Sequence, residues 1–200
     1  MVLVVLTTDK TDVLAGSFQA SADKVVTLLP NTFTVHQFDV DNLGASEVHN
    51  QLMRTLEQGA NIMHYIGHGS MVSYGRKSLL SATDIDSMSN IATPMLIVST
   101  SCGAGSFGYP PLNSIGESTV LRANGAASNF FGATGLSENY LADEMITGFY
   151  KSLFTPEITR IGDAVVHGKQ YYAQKRTERY LLDLYNLLGD PAMLVPMSKQ

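Results

Sequence analysis

The sequence predicts an α/β fold with a mostly parallel central sheet of about six strands. Short apolar runs of strand length alternate along the chain with segments whose apolar residues recur at helical spacing, as in proteins built from βαβ units. The chain has 200 residues, of which 44% are hydrophobic, and this is enough for one domain with a sizeable core. We therefore expect residues 1–200 to form a single domain, excised from a longer protein.

The first half of the chain contains three predicted strands and two predicted helices. Residues 2–8 are a largely apolar run typical of a buried strand, whereas residues 32–40 alternate apolar and polar side chains like a strand nearer the sheet edge. Residues 17–29 have helical spacing and stop before a proline, which disfavours helical geometry in the residue before it. Residues 46–58 form an amphipathic helix pattern that ends at a glycine, and residues 61–66 are the third apolar run.

The second half continues the alternation with three apolar runs and three segments of helical spacing. The predicted strands are residues 95–100, 125–132 and, as a short last strand, 191–195. The predicted helices are residues 114–123, residues 143–154 and, as one longer helix or a helix pair, residues 162–185.

One long irregular segment, residues 70–80, follows the third predicted strand. Long connections inside compact α/β domains are usually functional, and ligands of open α/β sheets bind beyond the carboxyl ends of the strands. We therefore expect the chemistry of this protein at the ends of the third and fourth strands.

Composition and charge argue against several classes of protein. The formal net charge is −5, so we expect no basic face for nucleic acid. No run approaches the roughly 18 consecutive apolar residues that suggest a membrane span. The chain starts with an apolar run that lacks a basic leader, which favours a core strand over a signal peptide. Charged residues make up only 16% of the chain, which suggests that neighbouring domains of the parent protein cover part of its surface.

His68 and Cys102 are the strongest candidates for chemistry. His68 follows the third predicted strand between two glycines, and Cys102, the only cysteine, follows the fourth. If the two strands are parallel neighbours, the imidazole and the thiol emerge at one sheet edge, and histidine is the usual base for a nucleophilic cysteine. Glycines let a backbone approach a substrate closely, so we expect the N–H groups of Gly69 and Cys102 to bind an oxyanion.

The same residues also have plainer interpretations. A single cysteine is more often a small buried apolar residue than a nucleophile, and it excludes an internal disulfide and a Cys-rich metal site. A histidine before a glycine is often a turn residue whose ring hydrogen-bonds a carbonyl group. The pattern alone therefore supports a catalytic and a structural role about equally.

Four segments in order resemble the gingipain-like cysteine peptidases, whose clan includes caspases and legumain. They are NIMHYIGHGS at 61–70, LIVSTSCGAGSF at 96–107, SIGE at 114–117 and LGDP at 188–191. The resemblance implies a caspase-like three-layer α/β sandwich and hydrolysis of peptide bonds through a thioester of Cys102. It implies that His68 is the general acid and base, and that the N–H groups of Gly69 and Cys102 form the oxyanion hole. His64 lies inside the third predicted strand, and this position assigns it to structure.

The resemblance also bears on how the histidine is oriented and how a substrate side chain binds. In some gingipains an acidic residue after the first strand orients the histidine, and Asp9 has the comparable place here, where it also suits a turn cap. Arginine-specific members bind the P1 side chain, on the acyl side of the scissile bond, through an acidic residue early in the first helix. This sequence has Phe18 there, so that preference does not carry over. Glu138, Asp143 and Glu144 are the remaining pocket candidates, unless they are carboxylates favoured near a helix N-terminus. The P1 preference therefore stays open.

The sequence leaves three candidate functions open. The first function is an active cysteine endopeptidase with a protein or peptide substrate. The alternatives are a non-catalytic or regulatory caspase-like module and a CHAT-type protease of the same clan. Relatives are often secreted or attached to the cell envelope with bound calcium, but the chain has no recognisable calcium loop. We expect no metal site and no required cofactor, with structural calcium left open.

Overall fold

A computed structural model of the protein describes residues 2–89, 95–122 and 127–195. The strands are β1 (Leu3–Thr8), β2 (Thr34–Asp39), β3 (Ile62–Ile66), β4 (Ser73–Tyr74), β5 (Leu80–Ser81), β6 (Leu96–Thr100), β7 (Asn129–Ala133) and β8 (Tyr185–Gly189). The helices are α1 (Phe18–Val26), α2 (Val40–Leu43), α3 (Ala45–Gln58), α4 (Ala82–Ser87), α5 (Ile115–Leu121), α6 (Asn139–Leu153), α7 (Ile161–Lys175) and α8 (Tyr180–Leu184).

The centre of the molecule is a six-stranded sheet in the order β2-β1-β3-β6-β7-β8. The first five strands of this order are parallel, and β8 pairs antiparallel with β7. β4 and β5 form a small separate antiparallel pair in the segment after β3. The predicted mostly parallel six-stranded sheet is therefore confirmed.

The side chains of successive strand residues point to opposite sides of the sheet, so each face has its own set of apolar side chains. Helices pack against both sets. On one face, Val4 and Leu6 of β1 belong to a buried cluster with residues of α1, α6 and α7. On the other face, Val5 belongs to a cluster with residues of α3, α4 and α5. The molecule thus has the three layers that the sequence predicts. No helix in the described ranges has both the length and the apolar character needed to cross a bilayer.

The last strand lies earlier in the chain than predicted. Residues 191–195 contribute only an isolated bridge, between Leu194 and Arg160, whereas β8 completes the sheet. Tyr185, the first residue of β8, is fully buried with its ring centre 5.6 Å from that of Phe131. Burial of this ring against β7 fixes the start of the strand, so the prediction of a strand at 191–195 is wrong.

Two helical segments also differ from their predicted bounds. The segment 162–185 is the helix pair α7 and α8 and not one longer helix. Helix α6 begins four residues before its predicted start at 143, because Leu141 and Ala142 are buried and extend its apolar face. The end of the predicted helix 114–123 and the start of the predicted strand 125–132 lie outside the described residues.

His64 is a core residue of β3. Its ring is fully buried, and Nε2 lies 2.9 Å from Oγ1 of Thr100. Burial lowers the pKa of His64 from 6.5 to about 3, because a charged ring would lose its hydration. These contacts agree with the structural role that its position in the sequence suggests.

We expect the free energy of unfolding to fall as the pH drops from 6.5 towards 3. Below pH 6.5 the unfolded chain binds a proton at His64 that the folded chain does not bind, so this contribution to stability is present above pH 6.5 and is lost on acidification. The total loss between pH 6.5 and 4.5 is about 2 kcal/mol, because the slope reaches its full value of about 1.4 kcal/mol per pH unit only once the unfolded chain is fully protonated at His64.

Urea unfolding at about pH 7.5, 5.5 and 4.5 measures this slope. His64→Gln should flatten it, whereas His36→Gln, the same change at an exposed histidine, should leave it unaltered. An equal slope in wild type and His64→Gln would show that another group causes the acid sensitivity.

Candidate active site

The topology of the sheet brings His68 and Cys102 to the same edge. Strands β3 and β6 are parallel neighbours, with Ile66 opposite Thr100 at their carboxyl ends. His68 and Cys102 each follow two residues after these paired positions. The arrangement of neighbouring strands that the sequence analysis required is therefore present.

Gly69 allows the loop after β3 to pack directly on the loop after β6. A Cβ atom at Gly69 would lie 2.7 Å from Oγ of Ser101 and 3.1 Å from the carbonyl oxygen of Cys102. The first distance is shorter than a real Cβ contact and the second is tighter than most, so a side chain at this position would force the two loops or the Ser101 side chain to shift. The hydroxyl of Tyr65 also donates a hydrogen bond of 2.7 Å to the carbonyl oxygen of His68, which fixes the turn that carries the imidazole.

The imidazole of His68 is held by a carboxylate and by an aromatic ring. Nε2 lies 3.3 Å from Oδ2 of Asp12, and the ring of Phe18 meets the imidazole edge-on with centres 5.4 Å apart. Oδ1 of Asp12 accepts the backbone N–H groups of Leu14 and Ala15, and these two hydrogen bonds are the main reason that the pKa of Asp12 is lowered. The carboxylate beside His68 therefore stays ionised at mildly acidic pH.

Arg76 is the third charged member of this group. Its Nη2 lies 2.6 Å from Oδ2 of Asp12 and 3.4 Å from Nε2 of His68. The Arg76 side chain is 70% exposed, against 35% for His68 and 16% for Asp12. The guanidinium thus covers the solvent side of the carboxylate that contacts the imidazole.

The structure does not bring Asp9, the residue that the sequence predicts to orient the histidine, into contact with His68. Asp9 is buried at the end of β1, where its Oδ1 accepts the N–H of Lys10, and no hydrogen bond or ion pair with His68 is found in the described residues. The following loop turns back on itself through paired backbone hydrogen bonds between Asp12 and Gly16. That turn places Asp12 beside the imidazole. The spacing of an aspartate and a glycine four residues apart is the sequence signal that could have indicated it.

The thiol of Cys102 contacts the backbone of the loop after β7. Sγ lies 3.4 Å from both the nitrogen and the carbonyl oxygen of Ser137, so it can accept from the N–H and donate to the carbonyl. Within the described ranges no hydrogen bond joins Sγ to the ring of His68. Sequence reasoning missed Ser137, because this contact depends on how the β7–α6 loop folds over the sheet edge.

Two backbone N–H groups at the site are free to bind a ligand. Neither Gly69 nor Cys102 donates its N–H to an acceptor in the parts of the chain that the structure describes. Gly69 pairs with Tyr74 through hydrogen bonds made by the flanking residues, so its own N–H points away from that partner. These are the two N–H groups that the sequence predicts for an oxyanion hole.

His68 and Cys102 line one cavity of about 330 Å³. Its other walls come from the loop before α1, from the first turn of α1 and from the segment 137–142 at the start of α6. In the described part of the chain, no group of three or more His, Cys, Asp or Glu side chains is arranged to hold a metal ion.

A model of peptidase family C25 matches residues 2–196. The chain belongs to peptidase family C25. The predicted gingipain-like resemblance is thereby confirmed, and the match favours it over the CHAT-type alternative. A search of curated proteins finds no match.

Solved structures agree with the family. The Arg specific cysteine proteinase gingipain R (RgpB) superposes with a TM-score of 0.84 at 15% identity, over 96% of this C25 chain and 47% of gingipain R. The complex of Porphyromonas gingivalis RgpB pro- and mature domains gives 0.79 at 14% identity, over 96% and 48%. The Saccharomyces cerevisiae separase–securin complex gives 0.63 at 14% identity, over 93% and 11%. The chain thus has the caspase-like fold of a cysteine peptidase and spans about half the length of gingipain R.

Of the three acidic pocket candidates in this C25 chain, only Glu138 lines the cavity. Asp143 accepts a 2.8 Å hydrogen bond from the hydroxyl of Ser21, and burial raises the pKa of its carboxyl group. Glu144 forms an ion pair of 3.5 Å with Arg176. The structure therefore does not place Asp143 and Glu144, two of the predicted pocket residues, in the lining of this cavity. Both residues lie beyond the first turn of α6, where Asp143 faces α1 and Glu144 faces the end of α7.

Proposed function

We propose that this C25 domain is a cysteine endopeptidase, with Cys102 as the nucleophile and His68 as the general acid and base. The observation that supports it best is that the thiol and the imidazole line one cavity at the ends of neighbouring parallel strands. Two unused backbone N–H groups, those of Gly69 and Cys102, belong to the same two loops. A nucleophile, a proton carrier and oxyanion donors are the parts that acyl transfer requires.

In the proposed reaction, the thiol proton of Cys102 passes to His68. The thiolate Sγ then bonds to the carbonyl carbon of the scissile peptide, and the carbonyl oxygen takes the negative charge. The N–H groups of Gly69 and Cys102 stabilise that oxygen. The carbon–nitrogen bond then breaks while protonated His68 gives its proton to the leaving amine, and a thioester remains. A water molecule gives a proton to His68 and attacks the thioester. The acid product leaves, and Cys102 departs as the thiolate.

We assign Asp12 a positioning role in this reaction. Its carboxylate contacts Nε2 of His68, which fixes the ring orientation and stabilises the protonated ring that the first step consumes. Arg76 holds the same carboxylate oxygen and restricts its movement. No metal or other cofactor enters the proposed reaction, and the expectation that none is required stays a prediction. The proposed partners are a protein or peptide substrate and neighbouring domains of the parent chain.

One observation favours a second candidate, a non-catalytic module of the same fold. The thiol contacts the backbone of Ser137, while Nε2 of His68 faces Asp12 and Arg76. In a peptidase, a bound substrate sits between the thiol and the imidazole, and catalytic hydrogen bonds are often long before substrate binds. In a binding module the two groups would never exchange a proton.

Mass spectrometry of the cleavage products from a proteome-derived peptide mixture separates the two functions. We expect cleavage by the wild-type chain, none by Cys102→Ala, and alkylation of Cys102 by iodoacetamide. Absence of cleavage by folded wild-type protein, even after limited processing, would contradict the peptidase proposal. An alkylated but non-cleaving protein would support the binding module.

A further inference from the structure

The buried lining of the cavity beside Cys102 has an apolar part, next to a polar part formed by Thr100 and Ser101. Phe18 and Ala142 line it and are 2% and 0% exposed. Leu14 and Tyr140 extend the apolar lining towards solvent, at 97% and 55% exposed. A side chain entering this cavity from a substrate bound at Cys102 would therefore meet carbon atoms on both the buried and the exposed walls.

The carboxylates near the cavity are not placed to pair with a buried cation. Asp143 and Glu144 face other partners, Ser21 and Arg176, and line no part of the cavity. Glu138 does line it, but it is exposed, and its Oε2 already accepts a hydrogen bond from the hydroxyl of Tyr180. An exposed carboxylate contributes little to an ion pair because water and salt screen it.

Charge therefore disfavours basic and acidic side chains alike. A guanidinium or ammonium group in the buried part of the cavity would lose its hydration without a carboxylate partner beside Phe18 or Ala142. Among the described residues no lysine or arginine lines the cavity, and the carboxylate of Glu138, which does line it, would repel an acidic side chain. Neutral apolar side chains carry neither cost, and they gain from leaving water.

The cavity also has room for a large apolar group. An apolar cavity of about 150 Å³ accepts a benzene molecule. The cavity here measures about 330 Å³, and part of it is the space over the thiol where the substrate backbone must lie. The remainder suits the side chain of leucine, methionine or phenylalanine.

We propose that this cavity binds the P1 side chain of the substrate. It selects a large apolar P1 residue, leucine, methionine or phenylalanine, in place of arginine or lysine. The inference rests on the proposed peptidase function and adds the substrate class to it. Leu14 is the specificity residue that can be tested most cleanly, because its side chain is 97% exposed and its replacement leaves the core intact. Its neighbour Val13 is 100% exposed and does not line the cavity.

The test uses fluorogenic peptides that differ only at P1, with Leu, Met, Phe, Ala, Arg, Lys or Asp at that position. We expect kcat/KM for the best of Leu, Met and Phe to exceed that for Arg and Lys about tenfold or more. In Leu14→Asp the ratio of Leu to Arg cleavage should fall about three- to fivefold, mainly because a P1 leucine loses an apolar contact, while the exposed carboxylate adds only a screened attraction for a P1 arginine. Val13→Asp, with the same added charge one residue away, should change the ratio by less than about twofold.

Each other outcome has a definite meaning. A preference for Arg or Lys that Glu138→Gln removes would make Glu138 the specificity residue and overturn the inference, while the proposed peptidase function would stand. Equal changes in Leu14→Asp and Val13→Asp would show that Leu14 does not contact the P1 side chain, which also overturns it. Failure to cleave any peptide in the panel would overturn the proposed function and this inference with it.

Discussion

His68→Ala is expected to lower kcat/KM by about 10³-fold or more. Departure of an amine requires a proton, and His68 is the titratable group that lines the cavity with Cys102 on the β3 side. General acid–base catalysis contributes about 10²–10⁴-fold, and loss of one member of a dyad removes most of the joint effect. The measurement is the steady-state cleavage of the best peptide from the P1 panel.

The controls separate loss of the imidazole from general damage. His36→Ala removes an exposed histidine on β2, so it should retain wild-type kcat/KM. The rate of Cys102 alkylation by iodoacetamide should fall in His68→Ala but not in His36→Ala, because only His68 shares the cavity with the thiol. Wild-type turnover by a folded His68→Ala variant would contradict the assigned role.

Two matched variants, Asp12→Asn and Asp9→Asn, test which carboxylate positions the imidazole of His68. Asp12→Asn should lower kcat/KM about 10- to 100-fold, as loss of an orienting partner does at other histidine sites, and should move the alkaline limb of the pH–kcat/KM profile to lower pH, because the protonated imidazole loses its carboxylate. Asp9→Asn should leave that limb in place, because Asp9 does not touch the ring. A shifted alkaline limb in Asp9→Asn with an unshifted one in Asp12→Asn would restore the interpretation of Asp9 drawn from the sequence.

The sequence predicted Asp9 beside His68, whereas the structure has Asp12 there. This difference shows which features of such a site can be predicted from sequence. The apolar runs of β3 and β6 are local patterns, and the carboxyl ends of neighbouring parallel strands must share an edge. The positions of His68 and Cys102 at one edge were predictable for this reason. The route of the loop after β1 depends on backbone hydrogen bonds between Asp12 and Gly16, which no periodicity reveals.

The predicted placement of Asp143 and Glu144 at the cavity also depended on a feature that local patterns do not determine, the first residue of α6. A helix has about 3.6 residues per turn, so an error of four residues in where α6 begins is one full turn. It moves residues such as Asp143 from the predicted first turn into the second. Glu138, just before the helix, lies at the cavity, whereas Asp143 and Glu144 lie beyond the first turn and face α1 and the end of α7. Helix boundaries are set by burial of residues such as Leu141, which depends on the assembled core.

Gly69→Ala is expected to reduce kcat by about 10²–10³-fold while the chain still folds. The added Cβ would lie 2.7 Å from Oγ of Ser101 and 3.1 Å from the carbonyl oxygen of Cys102, so the two loops must separate. Separation moves the N–H group of Gly69 away from the oxyanion and the imidazole of His68 away from the thiol. Loss of one oxyanion donor alone costs about this much, and the overpacking costs about 1–3 kcal/mol of stability.

Two further variants decide whether crowding is the cause. Gly108→Ala adds the same methyl group to the loop after Cys102, where nothing lies within 4 Å of the new atom, and it should retain wild-type kcat. Adding Ser101→Gly to Gly69→Ala removes the two nearest colliding atoms and should recover part of the lost kcat, although contact with the carbonyl of Cys102 remains. The thermal midpoint of each variant, read beside its kcat, separates unfolding from displacement of the site. Unchanged kcat in Gly69→Ala would mean that close approach of the β3 and β6 loops is not needed for turnover, and the oxyanion assignment would then have to be abandoned.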